Sequence, residues 1–345
     1  MESTRDPDIN GKPTTDSRVF SSESSGSPAI LEIIGLKKTF TVQRGFFSGE
    51  PVQVHALNGV NLAVHRGETL GLVGESGCGK STLGRLILHL DTPTEGRISF
   101  HGQDIFTFDR RALKDYFRRV QLIFQDPQAS LNPRKTAGNA VAEPLSIHEV
   151  VPTDQIQERV AQLMETVGLS RDQMNRYPHE FSGGQRQRIG IARAISLKPE
   201  LIIADEPVSS LDVSIQAQIL NLLKKLQQSF GLTYIFITHD LGVVRHMSDR
   251  IAVMYLGRIV ELAENRELYE HPLHPYTRAL FSAVPVPDPE RRAKRLLLKG
   301  DTSGHFDQLT GCPFYPRCPE RSEQCENSSP ELGEKSNDHF VACHL

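Results

Sequence analysis

At 345 residues, 38% of them hydrophobic, the chain is long enough for two or three domains and apolar enough to bury a core. A formal net charge of -3 gives no bulk electrostatic case for binding nucleic acid or an anionic membrane surface. No run approaches the roughly 18 apolar residues that a membrane-spanning helix needs, so any membrane role must pass through partners.

Residues 1–29 are rich in Ser, Thr, Asp, Pro and Gly and read as a disordered tail. The charges between Glu2 and Asp16, without an apolar signal-peptide core, argue for a cytosolic location. Ile30–Phe40 and Val54–Val64 read as strands. Glu68–Val73 then reads as a short buried strand and Ser81–Leu90 as a helix. Between them lies Gly74-Glu75-Ser76-Gly77-Cys78-Gly79-Lys80-Ser81, which fits G-x-x-x-x-G-K-[ST] in the strand-to-helix setting the pattern needs. The three glycines let backbone N–H groups converge on phosphate oxygens at the helix start. Lys80 would reach the β- and γ-phosphates, and the Ser81 hydroxyl would ligate magnesium. A nucleoside triphosphate is therefore the starting hypothesis, but the loop alone does not separate kinase, GTPase, helicase or transporter motor.

Gly96–Phe100 and Val120–Phe124 read as strands, the second ending at Gln125. Residues 127–195 read as a helical insertion, with Ile156, Val160, Leu163, Met164 and Val167 at helical spacing and Gly168 closing that helix. Phe181-Ser182-Gly183-Gly184-Gln185 precedes an Arg-rich helix, Arg186–Ala194. A hydroxyl residue and two glycines there can make a second anion site, although Ser-Gly-Gly also occurs in ordinary turns. Leu201–Ala204 is an apolar strand running into Asp205 and Glu206. We assign Asp205 to magnesium and Glu206 to the general base; the alternative is that they merely open a loop. A helix carries Ile215, Ile219, Leu222, Leu223 and Leu226 on one face and closes at Gly231. Tyr234–Thr238 is a buried strand followed by His239, where parallel sheets place ligand-facing residues. A lone His after a strand is more often structural. Ile251–Tyr255 and Arg258–Leu262 resemble a hairpin across Leu256-Gly257. Strands alternating with helices imply an α/β core with a largely parallel sheet.

In this order the motifs resemble the ATP-binding cassette (ABC) family over roughly residues 30–283. The resemblance implies a phosphate-loop NTPase with a RecA-like core, an antiparallel β subdomain, a helical signature subdomain over about 127–195 and an extension over 284–345. Phe40 falls where an aromatic ring stacks on adenine, with Phe in place of Tyr removing the polar part of that contact. Gly74 to Ser81, with Thr82, would hold the nucleotide. Gln125 matches the glutamine that contacts magnesium and water at the coupling surface to the membrane subunit. Ser209-Ser210-Leu211-Asp212 matches the loop that crosses the dimer interface, with Asp212 its acidic residue, and His239 the histidine that contacts the γ-phosphate. Two such cassettes pack head to tail, so that Ser182, Gly183, Gly184 and Gln185 of one cap the ATP of the other.

Ile123–Pro127 with Ser130–Arg134, and His274–Leu280, resemble the ATPases of oligopeptide and dipeptide importers, a group that includes nickel importers. The run Gly74–Arg85 looks like the second of the two ATPases such systems pair. The resemblance thus implies ATP- and Mg2+-dependent peptide import at the cytoplasmic side of the inner membrane, as a peripheral subunit. Its partners would be a second cassette (identical or a paralogue), two permease subunits and an extracytoplasmic substrate-binding protein, with no nucleic acid. Competing readings are a soluble cassette acting on ribosomes or DNA, an importer of nickel or another non-peptide substrate, and a redox-sensing binding protein.

Cys312, Cys318, Cys325 and Cys343 fall in the last tenth of the chain, at spacings that match neither zinc ribbons nor ferredoxin runs. So short a Pro-containing segment would struggle to build a core, and a metal would staple it. Some members of the resembled family hold a [4Fe-4S] cluster there; zinc and metal-free thiols are the alternatives. His339 and His344 are near enough to be alternative ligands but read as exposed tail residues. Cys78, at a helix N-terminus, is either a thiol of lowered pKa open to alkylation or simply a small residue that fits.

Overall fold

The computed structural model describes residues 29–42, 51–126, 130–282, 311–336 and 338–345. The expected tail, apart from Ala29, and the first part of the extension lie outside them.

Strands β1 (Ala29–Val42) and β2 (Val52–His65) pair antiparallel through several bulges, burying Leu31, Ile33, Leu36, Val60 and Leu62. β3 (Thr69–Val73), buried along its whole length, enters a different sheet and feeds helix α1 (Lys80–Ile87). The helix ends at Ile87 with Leu88 as its C-cap, short of the expected Leu90. β4 (Glu95–Phe100) and β5 (Gln103–Asp104) return to the small sheet, giving the order β2-β1-β4-β5. Helix α2 (Arg110–Arg119) is a finding of the structure. It is mostly charged and fully buries only Tyr116, but the Asp109 carboxylate caps it by accepting from the Ala112 N–H at 2.7 Å.

After β6 (Val120–Ile123) come α3 (Ala137–Ile147), α4 (Ile156–Thr166) and α5 (Gly183–Ile195), α4 falling where the spacing predicts it. Gly168, with φ at 79°, follows the end of α4. β7 (Leu201–Asp205), α6 (Val213–Phe230), β8 (Thr233–Ile237), α7 (Leu241–Met247), β9 (Arg250–Tyr255), β10 (Arg258–Glu264), α8 (Asn265–Glu270) and α9 (Pro275–Ser282) follow. The Cys-rich end adds α10 (Glu323–Asn327), β11 (Gly333–Ser336) and β12 (His339–Val341).

Among the described residues the main sheet has eight strands in the order β11-β12-β10-β9-β3-β8-β7-β6. From β9 to β6 neighbours run parallel, while β10, β12 and β11 add an antiparallel flank. Strands buried on both faces read as unbroken apolar runs, which is why β3, β7 and β8 were legible. The parallel register sets Leu72 beside Ile237, Phe236 beside Ala204, and Ala204 beside Ile123. The loops after β3, β6, β7 and β8 therefore open at one edge of the sheet, where ligands of α/β proteins bind.

The Cys-rich segment, expected to be stapled by a metal, is also anchored on the main sheet. β12 pairs with β10, the Ala342 N–H donates to the Val260 carbonyl at 2.8 Å, and Phe314 and Phe340 are buried. The segment borrows the core of the main sheet instead of building its own.

Candidate functional site

The phosphate loop turns tightly between β3 and α1. Gly74 has φ at 155°, and a Cβ there would lie 2.2 Å from the Met254 carbonyl oxygen and 2.8 Å from Cys78 Sγ. Gly79, the N-cap of α1, has φ at 111°, and its Cβ would meet the Ala56 carbonyl oxygen at 2.5 Å. β2 thus presses on the loop, and the small sheet that carries Phe40 abuts it. Phe40 pairs with Val54 and is 37% exposed, with the Lys38 ammonium 4.8 Å from its ring centre. Ser76 and Gly77 form the exposed crest of the loop, and Thr82 is half-buried in the first turn of α1. Lys80 is buried, its ammonium donating to the Gly74 and Glu75 carbonyls at 2.7 and 2.9 Å.

Cys78 corrects the reactive-thiol expectation. It is buried, and desolvation pushes its thiol up despite the neighbouring Lys80 charge. It is the small residue that fits.

Three residues from three loops meet beyond the strand ends. Glu206 Oε2 accepts from Gln125 Nε2 at 2.7 Å, and Glu206 Oε1 lies 2.8 Å from His239 Nδ1. A carboxylate only accepts, so Nδ1 of His239 carries the hydrogen in that contact. Glu206 sits at φ 45°, in the left-handed region, with its N–H bonded to the Ile237 carbonyl at 2.8 Å. Strain of this kind is retained where the surroundings dictate it, and here it aims the carboxylate between Gln125 and His239. Asp205 has different surroundings. Burial, and after it the Glu206 charge, raise its pKa, opposed by the Ser81 hydroxyl bonded to it and by Lys80. The paired hard oxygens of Ser81 and Asp205 suit a magnesium ion that fills its other positions with water and phosphate oxygens.

Ser182 caps α5 and forms a capping box with Gln185. Ser182 Oγ accepts from the Gln185 N–H at 3.3 Å, and Gln185 Oε1 accepts from the Ser182 N–H at 3.0 Å. Gly183 and Gly184 face Leu211 and Ile215, so this turn packs beside the head of α6, where Asp212 is the N-cap. Among the described residues no hydrogen bond joins this turn to the phosphate loop.

Nor do the C-terminal cysteines form a ligand set: among the described residues no group of three or more His, Cys, Asp or Glu is arranged to hold a metal ion. They are neighbours nonetheless. Burial, with the adjoining thiols adding to it, pushes Cys312 and Cys318 up. Proximity without ligand geometry gives no support to the iron–sulfur or zinc expectation. His339, read from sequence as an exposed tail residue, is buried against Glu261 at 2.8 Å. His344 bonds Ser328 through its hydroxyl and carbonyl oxygens at 3.2 and 3.0 Å. Sequence reasoning also missed Tyr276, whose hydroxyl oxygen accepts from the Glu75 N–H at 3.0 Å. The run His274–Leu280 was legible as a family mark, but nothing in it pointed to the loop.

Comparison with known proteins agrees with this geometry. The profile of the ABC transporter family matches residues 57–209, and that of the oligopeptide/dipeptide transporter C-terminal region matches residues 260–325. The oligopeptide transport ATP-binding protein AppF of Bacillus subtilis is 51% identical over 325 residues, covering 93% of this chain and 99% of its own. OppF of Salmonella typhimurium, also an oligopeptide transport ATP-binding protein, is 50% identical over 319 residues, covering 91% of this chain and 95% of its own. Among solved structures, a dimeric post-hydrolysis state of an ATP-binding cassette bound to ADP and Pi matches with a TM-score of 0.61 and 31% identity, over 68% of this chain and 99% of that one. The chain belongs to the ATPases of ABC transporters, in the branch that carries the C-terminal region of oligopeptide and dipeptide transporters.

Proposed function

We propose that the protein hydrolyses ATP to drive import of oligopeptides or dipeptides, with Glu206 as the general base. The observation that carries this reading is the arrangement at Glu206, held between Gln125 and His239 beside the Ser81–Asp205 pair. One bond to each Glu206 oxygen leaves lone pairs to accept a proton from a water positioned for in-line attack. Lys80 and the loop N–H groups bind the β- and γ-phosphates, and Phe40 packs on the adenine. Ser81 and Asp205 would hold magnesium, which when bound neutralises charge on the phosphate oxygens.

The Ser182–Gln185 turn belongs, in this reading, to the ATP site of a second cassette, identical or paralogous, with Asp212 at the interface between them. The dimeric state of the matched cassette structure supports this arrangement. Among the described residues no helix is long and apolar enough to cross a membrane. In this reading, coupling to transport passes through two permease subunits and a substrate-binding protein. The protein would then work at the cytoplasmic face of the membrane. The relatives' names favour peptides over nickel, ribosomes or DNA.

Glu206→Gln tests the assignment, since a positioned base contributes about 10²–10⁴-fold to turnover. The variant should bind ATP as the unaltered chain does and lose turnover within that range, measured as phosphate release; near-normal turnover would refute the role.

A further inference from the structure

The Cys-rich segment reaches the phosphate loop directly. Arg317 closes a single 3₁₀ turn, Tyr315–Arg317, and stands 242 positions along the chain from Glu75. Both terminal nitrogens of its fork engage that carboxylate, with Nη1 2.7 Å from Glu75 Oε2 and Nη2 2.9 Å from Glu75 Oε1. The guanidinium also lies 5.8 Å from the Tyr255 ring centre, and the side chain is only 10% exposed. From the other side, Tyr276 accepts the Glu75 N–H. Tyr276, Tyr255 and Phe314 pack ring against ring at 4.7 to 5.6 Å, Phe314 being supplied by the Cys-rich segment. Glu75 is therefore held at its amide and at its carboxylate by groups from outside the loop.

A carboxylate in a loop that binds phosphates is an electrostatic liability, because its charge opposes the ligand's. A bidentate, largely buried guanidinium both cancels that charge and fixes where it points, which the single ammonium of a lysine does less well. We propose that Arg317 is a positioning residue for ATP: it neutralises Glu75, and through it the C-terminal segment sets the nucleotide affinity of the loop in the same chain. This rests on the reading of Gly74–Ser81 as the ATP site. Arg317 acts only through Glu75 and touches no reacting atom.

The test measures ATP dissociation constants by calorimetry and steady-state turnover for the unaltered chain, Arg317→Ala, Arg317→Lys, Glu75→Gln and the Arg317→Ala/Glu75→Gln double variant. Arg317→Ala should weaken ATP binding about tenfold, equivalent to about 1.4 kcal/mol, and raise KM alike with kcat kept within about twofold. Arg317→Lys should fall between. Glu75→Gln alone should bind ATP at least as tightly as the unaltered chain, and adding it to Arg317→Ala should restore most of the affinity, since no charge remains to be cancelled. A merely structural role for Arg317 would not be rescued this way. Unchanged KM in Arg317→Ala, a double variant no better than Arg317→Ala, or weakened binding in Glu75→Gln would each overturn the proposal. Glu75→Gln leaves the residues of the C-terminal segment unaltered, so weakened binding in it overturns the proposal even where Arg317→Ala fails to fold. Absence of ATP binding by the unaltered chain would sink the reading of the loop itself, whereas normal binding insensitive to these substitutions would sink only this inference.

Discussion

Asp205 and Glu206 are adjacent carboxylates whose surroundings assign them different chemistry. Glu206 is engaged by two donors at one bond per oxygen, while Asp205 is raised by burial and by its neighbour's charge. For a carboxylate whose pKa is higher folded than unfolded, the charged form works against folding, and its contribution improves as pH falls and the group takes up a proton. Asp205→Asn should therefore melt no lower than the unaltered chain at neutral pH, while magnesium-dependent turnover falls by at least a hundredfold. Calorimetric melting alongside an ATPase assay checks both halves, and a markedly lower melting temperature would contradict the burial argument. The identities of these two residues were legible because an apolar strand runs straight into them. The left-handed backbone at Glu206 was not, since it is imposed by the hydrogen bond to Ile237 on a strand distant in sequence. At Cys78 the helix N-terminus argued one way and desolvation the other, and only the packed structure shows that desolvation wins.

At the scale of elements, α5 and α6 meet where small residues permit it. A Cβ on Gly184 would lie 2.5 Å from Ile215 Cγ2, the end of a side chain already packed against the helical core. Gly184→Ala should overpack this seam and cost about 1–3 kcal/mol. A shift in denaturant midpoint at unchanged slope would register it, and a midpoint equal to that of the unaltered chain would show that Ile215 gives way freely. Helices with apolar spacing, such as α4, and strands buried on both faces were readable from periodicity. α2 was not, because its sequence is dominated by charge. β11 and β12 were missed for another reason: they are short, and the pairing of β12 with β10 joins residues 258–264 to 339–341, a contact no local pattern announces.

The whole molecule is closed by a buried ion pair. Glu261, fully buried, accepts from the Leu273 and His274 N–H groups and faces His339 Nε2 at 2.8 Å, while Glu267 lies 3.5 Å from the other ring nitrogen. Burial disfavours the charged ring, but hydrogen bonds and charge from Glu261 and Glu267 outweigh it and raise the His339 pKa. A histidine raised in the fold contributes stability that is fully present below its unfolded value near 6.5 and is lost as pH rises through the folded one. The melting temperature should therefore fall as pH rises above about 6.5, and His339→Gln should flatten that slope while destabilising the chain by about 3 kcal/mol. Equal slopes in both proteins would rule the pair out as the cause.

That closure also fixes an order of events during synthesis. About 75 residues separate the end of β10 at Glu264 from the start of β12 at His339. At ~5–20 residues per second the ribosome needs roughly 4 to 15 s to make them. Throughout that interval β10 is an open edge with Glu261 lacking its histidine, a surface on which a neighbouring nascent chain can pair. Arg317 arrives within the same interval, and until it does the Glu75 carboxylate in the loop lacks that guanidinium. Arrival of β12, and not completion of the ATP motifs, is what closes that edge.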